Sequence, residues 1–355
     1  MHAKMEPVKA ELLRLSESTD CSYVYRRALV KLLRQVVPFD AACCTTVDPE
    51  TLLSTGSVTD EDVEIIHDRL FEYDYLRTDY IPYRELVQAV DSTATLSGAT
   101  EGELTRSARY RNVLSPAGFS DELRAALNYK GVCWGYLTLF RRVGHPSFSE
   151  EERVFISSLA PAIALRLRES GFAAPAEIEL EPELEPGILV LGESLVTLST
   201  NAIADRWLSR LREREGIDDT VLPRPVRTAC FRALSALPDA PSSAKTCVRI
   251  PGYRYLTIRA SKLYGLEDSP RLGVTFEPAG SADTLRLMAE TCGLSEREKQ
   301  ILDALVRGMS TKELALSFHI SAYTVQDHLK SIFVKTKVSS RRELVWRLFS
   351  RLGVV

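Results

Sequence analysis

Tyr323, Gln326, Asp327 and Lys330 are spaced so that a helix would present them on one side. Their groups suit base edges and phosphates: Gln can pair with adenine N6/N7, Asp can accept from cytosine N4, and Lys can meet a phosphate. Such recognition needs one helix face clear of packing and the opposite face buried. Val325, Leu329, Ile332 and Phe333 fall at i, i+4, i+7 and i+8 and supply that buried stripe. Ser321 stands before them as an N-cap, its hydroxyl placed to accept from an unpaired N–H of the first turn.

No comparable pattern points to catalysis. The histidines at 2, 67, 145, 319 and 328 are scattered, none at a catalytic spacing from Cys, Ser or carboxylate. His67 reads as a surface residue of an amphipathic helix and His328 as structural. No Walker A or GxGxxG motif is present. Asp60 and Asp62 do not make the aspartate constellation of a phosphorelay receiver. We expect no enzyme, no cofactor and no bound metal.

The elements that must position the polar face surround it. Ser310 with Glu313 is a capping box opening a helix with Leu314, Ala315 and Phe318 inward. His319 and Ile320 make the turn, so a helix-turn-helix spans Thr311 to Lys330. Ser295 with Glu298 opens a preceding helix carrying Ile301, Leu302, Leu305 and Val306, which stops at Gly308. Ser340 with Glu343 opens a last helix carrying Leu344, Val345, Leu348 and Phe349.

The run from Leu294 to Leu344 resembles the LuxR/NarL/GerE-type DNA-binding domain of bacterial transcription regulators. The landmarks are Leu294-Ser295-x-Arg297-Glu298, Gly308-x-Ser310-x-Lys312-Glu313-Leu314-Ala315, Thr324-Val325-x-x-His328-Leu329 and Lys335-x-x-Val338-x-Ser340-Arg341. The resemblance implies that the helix beginning near Ala322 enters the major groove of double-stranded DNA. Tyr323, Gln326, Asp327 and Lys330 would then face the duplex, with Ser321 and Thr324 near the sugar-phosphate chain. Ser310 and Thr311 would offer a helix N-terminus to a phosphate. Lys335, Lys337 and Arg341 would contact the backbone and set affinity rather than sequence. The family often carries a basic residue after Thr-Val, where this chain has Gln326 and then Asp327. Asp327 either reads a base or orients Lys330 three residues on. The last helix usually dimerises in this family, which makes Val345, Trp346 and Phe349 interface candidates.

Charge is distributed to match. The chain of 355 residues is long enough for two or three domains, with a net charge of −3. From Leu294 onward there are 11 Lys/Arg against 6 Asp/Glu, a net of +5 that leaves −8 for everything before. A basic excess confined to one end fits a polyanion-binding module on a body that does not bind nucleic acid. Seven cysteines show no CxxC pair and no secretory leader precedes them, which points to reduced thiols in a cytoplasm. Adjacent Cys43 and Cys44 read as small residues of a core strand. No apolar run reaches the ~20 residues of a membrane helix.

The remaining chain divides by pattern. Residues 1–17 read as a leader helix. Over 18–170 there is a helix (Tyr23–Val36), a strand (Ala41–Val47), a helix (Asp60–Phe71), an irregular stretch (Tyr73–Ser120), a hairpin about Asn128-Tyr129-Lys130-Gly131, and a long helix capped by Ser149 and Glu152. With its Gly131-x-x-x-Gly135-x-Leu137 hairpin and following Phe148-Ser149-x-Glu151, this order resembles a GAF domain. Residues 171–186 form an acidic Pro/Glu linker with five glutamates. Residues 187–278, opening LVLGESLVTLSTNAIADRWL and continuing with strands at 245–250, 253–260 and 272–277, resemble a PAS domain. A connector helix over 279–292 leads to the helix-turn-helix domain, 293–355.

The fold class expected is therefore α+β multidomain: antiparallel-sheet GAF-like and PAS-like units followed by an all-α four-helix LuxR-type domain. The function implied is a cytoplasmic, homodimeric, DNA-binding transcription regulator, gated by a small-molecule ligand or a partner at the front units. The alternative is a scaffold contacting RNA polymerase, because sigma factor region 4 shares the helix-turn-helix plan.

Overall fold

The computed structural model describes residues 7–12, 14–15, 21–170, 185–235, 244–250, 255–264 and 271–350. It forms two compact units. The first contains nearly all of the described chain up to Glu277, and the second contains the C-terminal helices from Pro278 onward. The leader helix is described over 7–12 and 14–15, where Val8 and Leu12 are buried in the first core. The acidic linker (except 185–186) and the Pro251-Gly252 turn lie outside the described residues.

The first sheet has strands β1 (Ala41–Val47), β2 (Ser54–Thr59), β3 (Thr93–Thr95), β4 (Phe119–Tyr129) and β5 (Val132–Arg142), in the order β2-β1-β5-β4-β3. β4 and β5 make the expected hairpin. Its turn residues Lys130 and Gly131 have φ of 51° and 79°, the left-handed pair that a two-residue hairpin needs. Gly135 serves a different purpose: a Cβ there would meet Thr45 O at 2.4 Å and Leu167 Cδ1 at 2.7 Å, so only glycine lets β1 and the helix Glu150–Ser170 come this close.

Helices cover both faces of this sheet. Ser22–Leu33 and Glu150–Ser170 bury Leu29, Leu33, Leu159, Ile163 and Leu167 on one side. Short helices between Glu61 and Leu114 cover the other, around Val63, Leu70, Leu96 and Phe140. Cys43 and Cys44 are consecutive on β1 and so belong to opposite cores. Burial pushes the Cys44 thiol up to about 12. They are core residues, not a redox pair.

The second sheet has β6 (Gly187–Leu191), β7 (Thr197–Thr200), β8 (Lys245–Arg249), β9 (Tyr255–Leu263) and β10 (Arg271–Pro278). Its order, β7-β6-β10-β9-β8, repeats that of the first sheet strand for strand, although the sequence shows no internal repeat. Asn201 caps the helix Ala202–Glu215, which turns Trp207, Leu208 and Leu211 inward.

The two sheets share one compact unit, joined by buried charge. On the helix Arg224–Leu234, Arg224 pairs with Glu64 and donates to His67 Nε2, while Arg227 reaches Asp68 at 2.8 Å and Glu64 at 2.5 Å. His67 is only 6% exposed, which corrects the surface assignment. Burial first, then the Arg224 and Arg227 charges, hold its pKa well below the ordinary value, so it is neutral.

The C-terminal unit is all helical: Ser281–Thr291, Glu296–Val306, Thr311–Ser317, Ala322–Thr336 and Arg341–Ser350. Its core gathers Ile301, Leu302, Leu314, Val325, Leu329 and Leu344, with Met288 and Ala289 added by the connector helix. With two antiparallel sheets before it, the protein is α+β, as its patterning implies.

Candidate nucleic-acid interface

Local chemistry sets where each C-terminal helix begins and ends. Ser295 and Ser310 form complete capping boxes with Glu298 and Glu313, and Ser321 Oγ accepts from Thr324 N–H. At Ser340 the box is half formed: its hydroxyl accepts from Glu343 N–H, while the Glu343 carboxylate turns to Ser339. The C-termini close alike. Gly293, Gly308, His319 and Lys337 all have positive φ, and in each case the next N–H bonds to a carbonyl five residues back. His319 is the turn of the helix-turn-helix, bonded through Ile320 N–H to Ala315 O at 3.0 Å.

The helix Ala322–Thr336 has the two faces its spacing requires. Val325, Leu329 and Ile332 are buried, whereas Tyr323 is 74% exposed and Gln326, Asp327 and Lys330 are exposed beside it. Gln326 Nε2 lies 3.3 Å from Thr311 Oγ1, which brings the N-terminus of the preceding helix to the same surface. Asp327 Oδ1 lies 3.8 Å from Lys330 Nζ, the orienting contact weighed against direct base reading. Ser310, Thr311, Ser321 and Thr324 border this surface through their caps.

The basic residues divide differently. Lys335 turns back into its own domain, pairing with Glu298 at 2.6 Å. Arg341 donates to Leu305 O and Met309 O, at 3.3 and 2.7 Å, and so closes the end of the helix Glu296–Val306. Lys337 is exposed at the left-handed end of the outer helix. Sequence reasoning missed the centre of this arrangement, Glu298. Its carboxylate is only 5% exposed and accepts from Ser295 N–H, Ser331 Oγ and Lys335 Nζ. Burial alone would raise its pKa, but the hydrogen bonds from Lys335, Ser331 and Ser295 bring it down to about 2. The capping-box spacing made Glu298 visible as a cap; its partner 37 positions on was not.

Of the interface candidates, Val345 packs partly on the core and Trp346 is 62% exposed. The side chain of Phe349 lies outside the described residues.

The model of bacterial regulatory proteins, luxR family (GerE), matches residues 293–348. Those residues are a luxR-family helix-turn-helix domain. The chain is 32% identical over 81 residues to the transcriptional regulatory protein FixJ of Bradyrhizobium diazoefficiens, an alignment covering 22% of this chain and 39% of that one. It is also 31% identical over 107 residues to the transcriptional regulatory protein DesR of Bacillus subtilis, covering 27% and 54%. The chain thus spans about half the length, or less, of these curated relatives. A crystal structure of Escherichia coli SdiA aligns with 98% of each chain at 11% identity and a TM-score of 0.35, too low to equate the folds. Among the described residues, no helix is long and apolar enough to cross a membrane.

Proposed function

We propose that this protein is a cytoplasmic bacterial transcription regulator that binds double-stranded DNA sequence-specifically as a homodimer. The observation that carries this is the exposed Tyr323, Gln326, Asp327 and Lys330 face, backed by a packed stripe, on a domain of the luxR family. A helix so divided can lie in the major groove with its polar side on base edges. Gln326 and Tyr323 meet bases, Lys330 and Lys337 meet phosphates, and Ser310 and Thr311 border the backbone. Lys335 and Arg341 contribute mainly by holding the helices in place. Exposed Trp346, with Val345 and Phe349 on the last helix, is the dimerisation surface.

The front of the chain is the regulatory part, GAF-like over 18–170 and PAS-like over 187–278. A ligand or partner that binds one of its states better than the other shifts how freely the DNA-binding domains pair on two half-sites. Selection of bound DNA from a random pool tests this, comparing the full chain with residues 281–355. Recovery of one palindrome by both supports the reading. Recovery by the fragment alone places restraint in the front half. If neither enriches a sequence, the alternative moves ahead, a scaffold that contacts RNA polymerase.

A further inference from the structure

The short helices of the first sheet and the helix Arg224–Leu234 enclose a cavity of about 180 Å³. It is somewhat larger than the ~150 Å³ that admits a benzene-sized molecule. Phe71, Tyr75 and Phe140 line it with aromatic surface. Tyr83 and Tyr136 stack at 3.9 Å on another wall, and Tyr83 Oη is held by Thr138 Oγ1 at 2.5 Å.

Charge around this cavity does not balance. Asp74 is paired with Arg124 at 2.8 Å, and Arg124 also meets Glu122 at 3.4 Å, where Arg109 adds a second cation. Two cations facing two carboxylates close that group. Arg84 and Arg232 also line the cavity, and neither has a carboxylate partner among the described residues. Arg232 lies over the Tyr75 ring at 5.1 Å, its Nε buried without a hydrogen-bond partner among the described residues. Burial lowers its pKa, and the like charge of Arg84 adds to that. His67 contributes a third polar group. Arg224 donates to its Nε2, which leaves the ring proton on Nδ1, buried with no partner among the described residues.

We propose that this cavity binds a small monocarboxylate with an aromatic or short aliphatic body. Arg84 and Arg232 hold the carboxylate and the aromatic wall takes the body. Guanidinium groups suit this role because their planar fork matches a carboxylate with two parallel bonds. Arg84 lies on the first half and Arg232 on a helix of the second, so the ligand would join the two sheets of this unit. That link makes the carboxylate the regulatory signal, a step resting on the ligand-gated reading above.

Calorimetric titration of the full chain with benzoate, phenylacetate and hexanoate tests the site, with benzamide as the neutral match of benzoate. At least one carboxylate is expected to bind, benzamide about tenfold or more weaker than benzoate if benzoate is that ligand, because a bond to a charged group is lost. Arg232→Gln and Arg84→Gln should each weaken binding about tenfold. Leu70→Trp, which fills the cavity, should abolish binding while circular dichroism shows the fold retained. No binding by any of the three acids at millimolar concentration would overturn the proposal, as would benzamide matching benzoate or unchanged affinity in both arginine variants. DNA affinity measured with and without the bound acid separates the two readings. Binding of the acid with unchanged DNA affinity keeps the site and removes the gating; sequence-selective DNA binding by a chain that takes none of the acids removes the site and keeps the DNA-binding reading.

Discussion

Glu298→Gln is the most informative single substitution in the luxR-family domain. The carboxylate caps one helix and also takes Ser331 and Lys335 from the outer helix, so its charge ties together two elements far apart in sequence. Its pKa is about 2 against an ordinary 4.5, and at 1.36 kcal/mol per unit that corresponds to about 3 kcal/mol. The sign follows from the direction. A carboxyl held below its unfolded value contributes its full stability above about 4.5 and loses it as pH falls toward 2. Glutamine keeps the shape and one acceptor but not the charge, and Lys335, about one-third exposed, can turn to water. The loss expected at pH 7 is therefore ~2–3 kcal/mol. Urea denaturation of residues 279–355, followed by helical circular dichroism, measures it. The gap between the parent and Glu298→Gln should narrow through pH 4 and be nearly closed close to pH 2. A loss under about 0.5 kcal/mol at pH 7, or a gap that does not change with pH, would refute the reasoning.

Other perturbations address separate parts of the molecule. Lys330→Ala should weaken DNA binding and lower the salt slope by about one, whereas Gln326→Ala should relax base preference at one position by ~1–3 kcal/mol; binding isotherms across salt and sequence distinguish them. His319→Gly should stabilise the domain by ~1 kcal/mol, because glycine reaches φ of 53° without the Cβ clash; urea melting checks it. Arg224→Met leaves Glu64 short of a partner between the two halves and should destabilise the front unit by ~3 kcal/mol in denaturation of the full chain. Adding Glu64→Gln should recover part of that loss.

The C-terminal domain was legible because its signals are local. Capping serines, an apolar stripe and a turn all lie within a few residues of what they control. Ser340 shows the limit: the capping-box spacing is present, yet Glu343 prefers Ser339. In the front half, β2 was missed because Ser54–Thr59 lacks apolar alternation and is held by pairing to β1. β3 is three residues long and equally silent. The helix read over Asp60–Phe71 breaks at Ile66, between Glu61–Glu64 and His67–Phe71. His67 was read as a surface residue because its partner lies 157 positions away, beyond the reach of periodicity. The cavity arginines are hidden for the same reason, since no pattern in the chain brings residues 84 and 232 together.

The shared strand order also governs how the chain must fold in time. In each sheet the last strand made, β5 or β10, pairs with the first, β1 or β6. Ala41 therefore waits for Phe140, about a hundred residues later, and such distant pairings make folding slow. Neither sheet can close until its final strand has left the ribosome, and until then β1 and β6 each present one edge of unpaired backbone N–H and C=O groups. The helical domain closes over short distances and follows both sheets in the chain, so the slow, aggregation-prone steps come before it during synthesis.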